Sequence, residues 1–260
     1  MTPSTNRPTI GLAYWPDSGN AAKRELLDRL RSWATLVVFD PSVEHHDLHE
    51  LGLDFYHMAS WHPRALADLK RARDAGIPTV NSDEGARATA DRLNCYRTLR
   101  HGKVLVPEYQ YGRARDITIF PPAIIKPRNE FDARGHDFAV HLAGAYDFPD
   151  EQIVQKYVVP HRSYKLFGIG DEVRAVKLPR DGSTPVEQQM TPSLARYVKH
   201  VEVLFDLVLF ELDVLVHKSI YVIDVNPAVN LDGISDGPAL YEELIRRKVG
   251  GEFPTIGERP

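Results

Sequence analysis

Acidic and amide side chains crowd residues 210–226, where two apolar runs of strand length flank His217-Lys218-Ser219-Ile220. That arrangement reads as a β-hairpin closed by a four-residue loop. With Val216 paired to Tyr221, the same antiparallel register sets Asp213 opposite Asp224 and Glu211 opposite Asn226. Asp224 and Asn226 stand two positions apart, so their side chains leave the strand on one face. Asp and Asn are depleted from strands, and carboxylates that face one another repel, so the cluster calls for a cation between its members. The all-oxygen donors of Asp213, Asp224 and Asn226 suit Mg²⁺.

Cations stand elsewhere in the chain. Lys126 closes the apolar run Ala-Ile-Ile-Lys, Arg128 follows it, and Lys165 interrupts the apolar Ser-Tyr-Lys-Leu-Phe-Gly. A lysine that ends a buried strand either snorkels to solvent or is aimed at a ligand. Residues 126–180 hold nine Lys and Arg against eight Asp and Glu, with His136, His141 and His161 besides, a slight positive excess in an acidic chain. The stretch 129–135 contains a single glycine and no Gly-x-x-x-x-Gly-Lys, which excludes a P-loop. Lysines from separate strands opposite a carboxylate hairpin fit a polyphosphate gripped by Mg²⁺ on one side and ammonium groups on the other.

The elements that must position these groups fall into three stretches. In residues 1–81, strands at 9–15, 35–39, 54–58 and 79–81 alternate with amphipathic helices at 20–33 and 63–75, which predicts a small, mostly parallel α/β domain. Ser82 caps a helix, and a second helical run spans 91–99. Strands then dominate, at 117–120, 123–126, 138–141, 153–158, 164–168 and 172–178, with Gly170-Asp171 turning the last pair. A polar loop at 180–187, a helix at 192–205, the hairpin and a helix at 240–248 complete the chain.

Composition narrows the function. A chain of 260 residues can bury a sizeable core, and a net charge of −4 with pI near 6.3 gives no overall basic field for nucleic acid or an anionic membrane. The single cysteine, Cys95, rules out an intrachain disulfide and argues against a thiolate zinc cluster. The first residues lack the apolar core of a signal peptide, and no run reaches the length of a transmembrane helix. The expected protein is cytoplasmic, a monomer or homodimer, with a small-molecule partner.

The order of strand-lysine, Val-Gln-Lys-Tyr-Val at 154–158, Tyr-Lys-Leu-Phe-Gly-Ile-Gly-Asp at 164–171, and Leu-Asp-Val-Leu-Val with Ile-Asp-Val-Asn-Pro at 212–227 resembles the ATP-grasp superfamily over residues 78–248. The inositol trisphosphate 5/6-kinase branch is nearest, followed by the ligases that add glutamate to a ribosomal protein. The resemblance implies an α/β (α+β) ATP-grasp fold. Its parts are an N-terminal α/β domain at 1–81, a central subdomain with lid strands at 82–158 and a C-terminal subdomain with the metal site at 159–260. It implies ATP and Mg²⁺ as cofactors, with Asp213, Asp224 and Asn226 as metal ligands. Lys126 and Arg92 become nucleotide contacts, and Gln155, Lys156, Tyr157 and Val158 become the hinge that reads adenine. Lys165 is assigned to phosphate as well, with Arg128, His136, His161, Lys177 and Asn230 on the side of an anionic acceptor.

Two features depart from the kinase branch. Phe131-Asp132 stands where that branch has His-Gly, and Val229-Asn230 replaces Pro-Gly before the pattern resumes at Asp232-Gly233-Ile234-Ser235. The basic residues of the first domain beyond Lys23 and Arg24 are read as too few for a polyphosphate acceptor, which favours a sparsely charged one. In either branch an acceptor oxygen attacks the γ-phosphate in line. A hydroxyl of a polyol or phosphorylated cyclitol gives a kinase; a carboxylate gives an acyl phosphate for an amine to attack, and the enzyme is a ligase. Tyr164-Lys165, in place of the arginine usual in the ligases, and Gly233-Ile234-Ser235 favour the kinase. A nucleotide-binding module that has lost catalysis is a third reading, opposed by the intact acids.

Overall fold

Short apolar runs alternating with amphipathic helices build a parallel sheet, because parallel neighbours need a long crossover. The computed structural model describes residues 7–15, 20–129 and 138–251. Strands β1 (Thr9–Ala13), β2 (Thr35–Phe39), β3 (Phe55–Met58) and β4 (Thr79–Val80) pair in parallel in the order β2-β1-β3-β4. Helix α1 (Ala21–Arg31) joins β1 to β2, and α2 (Pro63–Asp74) joins β3 to β4. The Asn20 side chain accepts from the Lys23 N–H to start α1, and proline opens α2 where its missing N–H costs nothing. Helices α3 (Asp83–Ala90) and α4 (Arg92–His101) follow, capped by Ser82 and Asp91.

Two antiparallel sheets come next. The smaller contains β5 (Tyr109–Gly112), β6 (Ala123–Lys126), β7 (Ala139–His141) and β8 (Gln152–Lys156) in the order β5-β8-β6-β7. The larger contains β9 (Arg162–Ile169), β10 (Glu172–Leu178), β11 (Val186–Gln188), β12 (Leu209–Val216) and β13 (Ile220–Asn226) in the order β11-β10-β9-β12-β13. Helix α5 (Pro192–Phe205) precedes β12, and α6 (Gly237–Val249) follows β13.

Two expectations change. Residues 117–120 are no strand: the Gln110 side-chain oxygen accepts from the Thr118 and Ile119 N–H groups, so a side chain satisfies backbone that a neighbouring strand would otherwise serve. The loop at 180–187 ends in strand, because Val186 and Glu187 pair with β10 at the sheet edge.

The larger sheet is covered on both faces. Phe210, Leu212 and Val214 point toward Tyr96 of α4 and Val198 and Val201 of α5. Leu209, Phe167 and Ile169 point the other way, into a core shared with Tyr241 and Ile245 of α6 and with Ile10 and Phe55 of the parallel sheet. Each such side chain contributes about 1.5–3 kcal/mol when fully buried. Gly168 permits the close packing, since a Cβ there would meet the Phe210 ring at 2.5 Å. The buried Asn81 amide ties the two sheets: it donates to Leu209 O (2.6 Å) and Pro227 O (3.1 Å) and accepts from the Val208 and Leu209 N–H groups.

Candidate active site

Along β9 and β12 the face that packs on α6 turns from apolar to ionic. Ile169 pairs with Leu209, Phe167 with Glu211, and Lys165 with Asp213; on the other side of β12, Glu211 pairs with Asn226 and Asp213 with Asp224. Two rows result, Phe167–Glu211–Asn226 and Lys165–Asp213–Asp224. The hairpin reaches this register by a different route from the expected one. Its loop is His217-Lys218-Ser219, with Val216 paired to Ile220 rather than Tyr221, and a bulge next to Asp213 absorbs the extra residue, Ile223. The bulge also releases the Ile223 carbonyl, which accepts from Tyr96 OH (2.9 Å) and from Lys126 Nζ (3.1 Å).

The ionic row is densely paired. Lys165 Nζ lies 2.7 Å from Glu211 Oε1 and 3.1 Å from Asp213 Oδ1. Burial works against its charge, but Asp213 and Glu211 outweigh it and hold the ammonium above its ordinary pKa. Glu211, only 3% exposed, also accepts from Asn226 Nδ2 and the Asn230 N–H, both at 3.4 Å. Burial pushes Asp213 up to about 6; Lys165 opposes the shift, while Asp224 and Glu211 add to it.

Among the described residues Asp213 Oδ1 is buried without a hydrogen-bond partner, although Lys165 Nζ lies 3.1 Å away as an ion pair. An orphaned carboxylate oxygen beside Asp224 and the Asn226 amide fits a hard cation. Among the described residues no three His, Cys, Asp or Glu side chains are placed to hold a metal. The donor set thus leaves room for phosphate oxygens and water, which Mg²⁺ favours.

Lys126, 8% exposed, reaches this site from the smaller sheet, its Nζ 3.1 Å from Tyr96 OH. Its burial disfavours charge, but Tyr96 and Asp224 more than compensate and keep its pKa above the usual lysine value. Ile124 pairs with Val140 and Gln155, so these residues share the face of Lys126. Gln155 Nε2 on that face is buried and, among the described residues, without a hydrogen-bond partner. The opposite face carries the small sheet's own core of Ile119, Ala123 and Val154.

A cleft of about 590 Å³ is lined by Lys165, Glu211, Asp213, Asp224, Asn226 and Asn230, together with Trp61, Tyr164, Ile223 and Asp232. Arg92 Nη1 donates to Pro127 O (3.1 Å), just beyond Lys126. Arg128 is held bidentately by Asp91 and lies over the Tyr111 ring, lining a separate pocket with Asp150 and Glu151. His161 stacks on His217 at the hairpin tip, and Lys177 is exposed; neither lines the acidic cleft. Lys156 Nζ donates to Phe120 O (2.7 Å) and the Tyr157 N–H to Pro122 O, so the hinge, with Val158 just past β8, is braced by the chain before β6. His136 lies outside the described residues.

Trp61, Asp232, Tyr96 and Lys23 are absent from the sequence-based assignment. Lys23 had a readable signal: with Leu26, Leu27 and Leu30 it falls on the buried stripe of α1, where a lysine is out of place.

This architecture is the ATP-grasp fold. The chain superposes on a RimK domain ATP-grasp protein from Sphaerobacter thermophilus with a TM-score of 0.72 at 15% identity, covering 91% of this chain and 98% of that one. D-alanine–D-alanine ligase from Bacillus anthracis, complexed with ATP, gives 0.71 at 13% identity, with 95% and 97% covered. The ATP-grasp ligase PsnB with minimal precursor, Mg and ADP gives 0.68 at 14% identity, with 94% and 98% covered. No protein-family model matches the sequence, and no curated protein matches it as a relative. At these identities the likeness is one of fold.

Proposed function

We propose that this chain is an ATP- and Mg²⁺-dependent ligase that phosphorylates a carboxylate of a small molecule and passes the acyl group to an amine. The observation that carries the reading is the engagement of Lys165: Glu211 and Asp213 occupy its charge. Among the described residues lining the cleft it is the only Lys or Arg, set against Glu211, Asp213, Asp224 and Asp232. Such a cleft is poorly suited to a phosphorylated ring and well suited to an acceptor of low charge. The comparison proteins include a D-alanine–D-alanine ligase and the ATP-grasp ligase PsnB complexed with minimal precursor, Mg and ADP.

Asp213, Asp224 and Asn226 would hold Mg²⁺, which supplies charge neutralisation on the phosphates of ATP. Lys126, fixed by Tyr96 and Ile223, would offset charge on the phosphoryl group as its bond to ADP breaks. Lys165, paired with both Glu211 and Asp213, holds the two carboxylates in register. The carboxylate oxygen attacks the γ-phosphorus, and ADP leaves with the bridging oxygen's electron pair. The amine then attacks the acyl carbon, loses a proton and expels phosphate. Residues 155–158 would present hinge backbone to the base.

The kinase alternative shares the first step and differs in the acceptor, a hydroxyl. Its two sequence arguments have packing explanations: Lys165 is ion-paired, and Gly233 is left-handed (φ 88°) with a Cβ-excluding contact to Val176. Incubation with ATP, Mg²⁺, hydroxylamine and panels of carboxylates and of polyols distinguishes the two. Trapped hydroxamate is expected; a stable phosphate ester without hydroxamate would establish the kinase instead.

A further inference from the structure

Helix α1 buries a cation at its first turn. Lys23 is 7% exposed and stands three residues after the Asn20 cap, where the helix dipole disfavours positive charge. Its ammonium has three donors and, among the described residues, one hydrogen bond, to Ala59 O at 2.8 Å, with the Tyr14 ring 5.9 Å away. No carboxylate among the described residues forms an ion pair with it; Glu211 and Asp232 act on it only at longer range. Burial therefore lowers its pKa to about 8 despite those two acids. A buried cation with donors to spare is costly to the fold, and such costs are retained where a ligand completes the pairing.

Its position gives that ligand a place. Tyr14 and Ala59 follow β1 and β3, at the carboxyl edge of the parallel sheet, where open α/β sheets bind ligands. Trp61, two residues past Ala59, lines the acidic cleft. Asn20 Nδ2 donates to Asn230 O (3.1 Å) and Asp232 Oδ1 (3.3 Å), both residues of the same cleft. Of the other lysines at this end of the molecule, half-buried Lys165 is paired with Glu211 and Asp213, and buried Lys126 is committed to the phosphate side. Lys23 remains.

We infer that Lys23, bonded two residues short of Trp61, seats a carboxylate of the acceptor where the parallel sheet meets the cleft. The inference rests on the ligase reading, and it makes the acceptor a small carboxylate rather than a polyanion, since one ammonium matches one such group.

The test compares wild type with K23M in hydroxamate formation, using free amino acids and aliphatic dicarboxylates as the carboxylate panel. K23M is expected to raise KM for the carboxylate that turns over by about 10-fold to 100-fold, the range of a lost charge-assisted hydrogen bond. KM for ATP should stay within twofold, and thermal stability should equal or exceed that of wild type, because the variant replaces a desolvated charge with an apolar chain. A structural role would instead lower the melting temperature and affect both substrates alike. Unchanged carboxylate KM, or loss accompanied by a fall in melting temperature, overturns the assignment of Lys23 while leaving the ligase standing. Absence of hydroxamate from wild type with every carboxylate overturns the ligase reading and this inference with it.

Discussion

The two antiparallel sheets solve opposite problems. The five-stranded sheet is packed on both faces, and its ionic end is paired across three strands, Lys165 to Asp213 to Asp224, before any ligand arrives. The four-stranded sheet has a core of three buried residues on one face and leaves Phe138 (55%), Val140 (47%) and Leu142 (72%) exposed at its β7 edge. A pre-paired charge cluster costs nothing to organise at the moment of reaction, whereas an exposed apolar edge gains from whatever covers it. One sheet carries an ordered charge array, the other an exposed apolar edge.

The largest test of that contrast removes the array's charge. Asp224→Asn keeps shape and loses the carboxylate, and turnover should fall roughly 10³-fold with the fold intact by circular dichroism. A change of less than tenfold would mean that the array does not hold the reacting phosphate. Lys165→Met attacks the pairing itself. It strands Glu211, nearly fully buried, without its cation, and urea unfolding should show a loss of about 3 kcal/mol or more, part of which Glu211→Gln restores in the double variant. Lys156→Met in the smaller sheet, whose ammonium donates to the Phe120 carbonyl, should cost about 1 kcal/mol.

Acidity sharpens the comparison further. Asp213 titrates near 6 in the metal-free protein, so below that pH Mg²⁺ must displace a proton, and its apparent affinity should fall by about tenfold per pH unit. Above pH 6 it should be flat. The stability sign is the reverse of the usual acid: the native state binds the proton more tightly than the unfolded chain, so stability declines as pH rises from about 4 to about 6, and Asp213→Asn should abolish that decline. The smallest effect belongs to the exposed edge. Val140→Asp should leave stability within about 0.5 kcal/mol and raise KM for ATP a few-fold; no change in KM would remove the edge from nucleotide binding.

Much of this arrangement was legible because strand periodicity is local. The apolar runs at 123–126, 172–178 and 192–205 predict elements that the structure reproduces residue for residue, and the acids of 210–226 face one another in the expected pairs, though a bulge and a shorter loop bring them there. The bulge was not legible, since an unpaired Ile223 depends on Lys126 and Tyr96 arriving from other elements to take its carbonyl. Nor was the partnership of Arg128 with Asp91, which draws that arginine away from the acidic cleft.

By itself, then, the order of residues determined most of the strands and helices and that a hairpin rich in oxygen donors forms at 210–226, because both depend on spacing along one chain; the bulge that sets Asp213 opposite Asp224 came from the tertiary structure. Tertiary structure alone decided how charge is allotted. Lys165 is spent on Glu211 and Asp213 while Lys23 is left buried with one carbonyl, since an ion's worth depends on which neighbours and how much water surround it, and those come from segments distant in sequence.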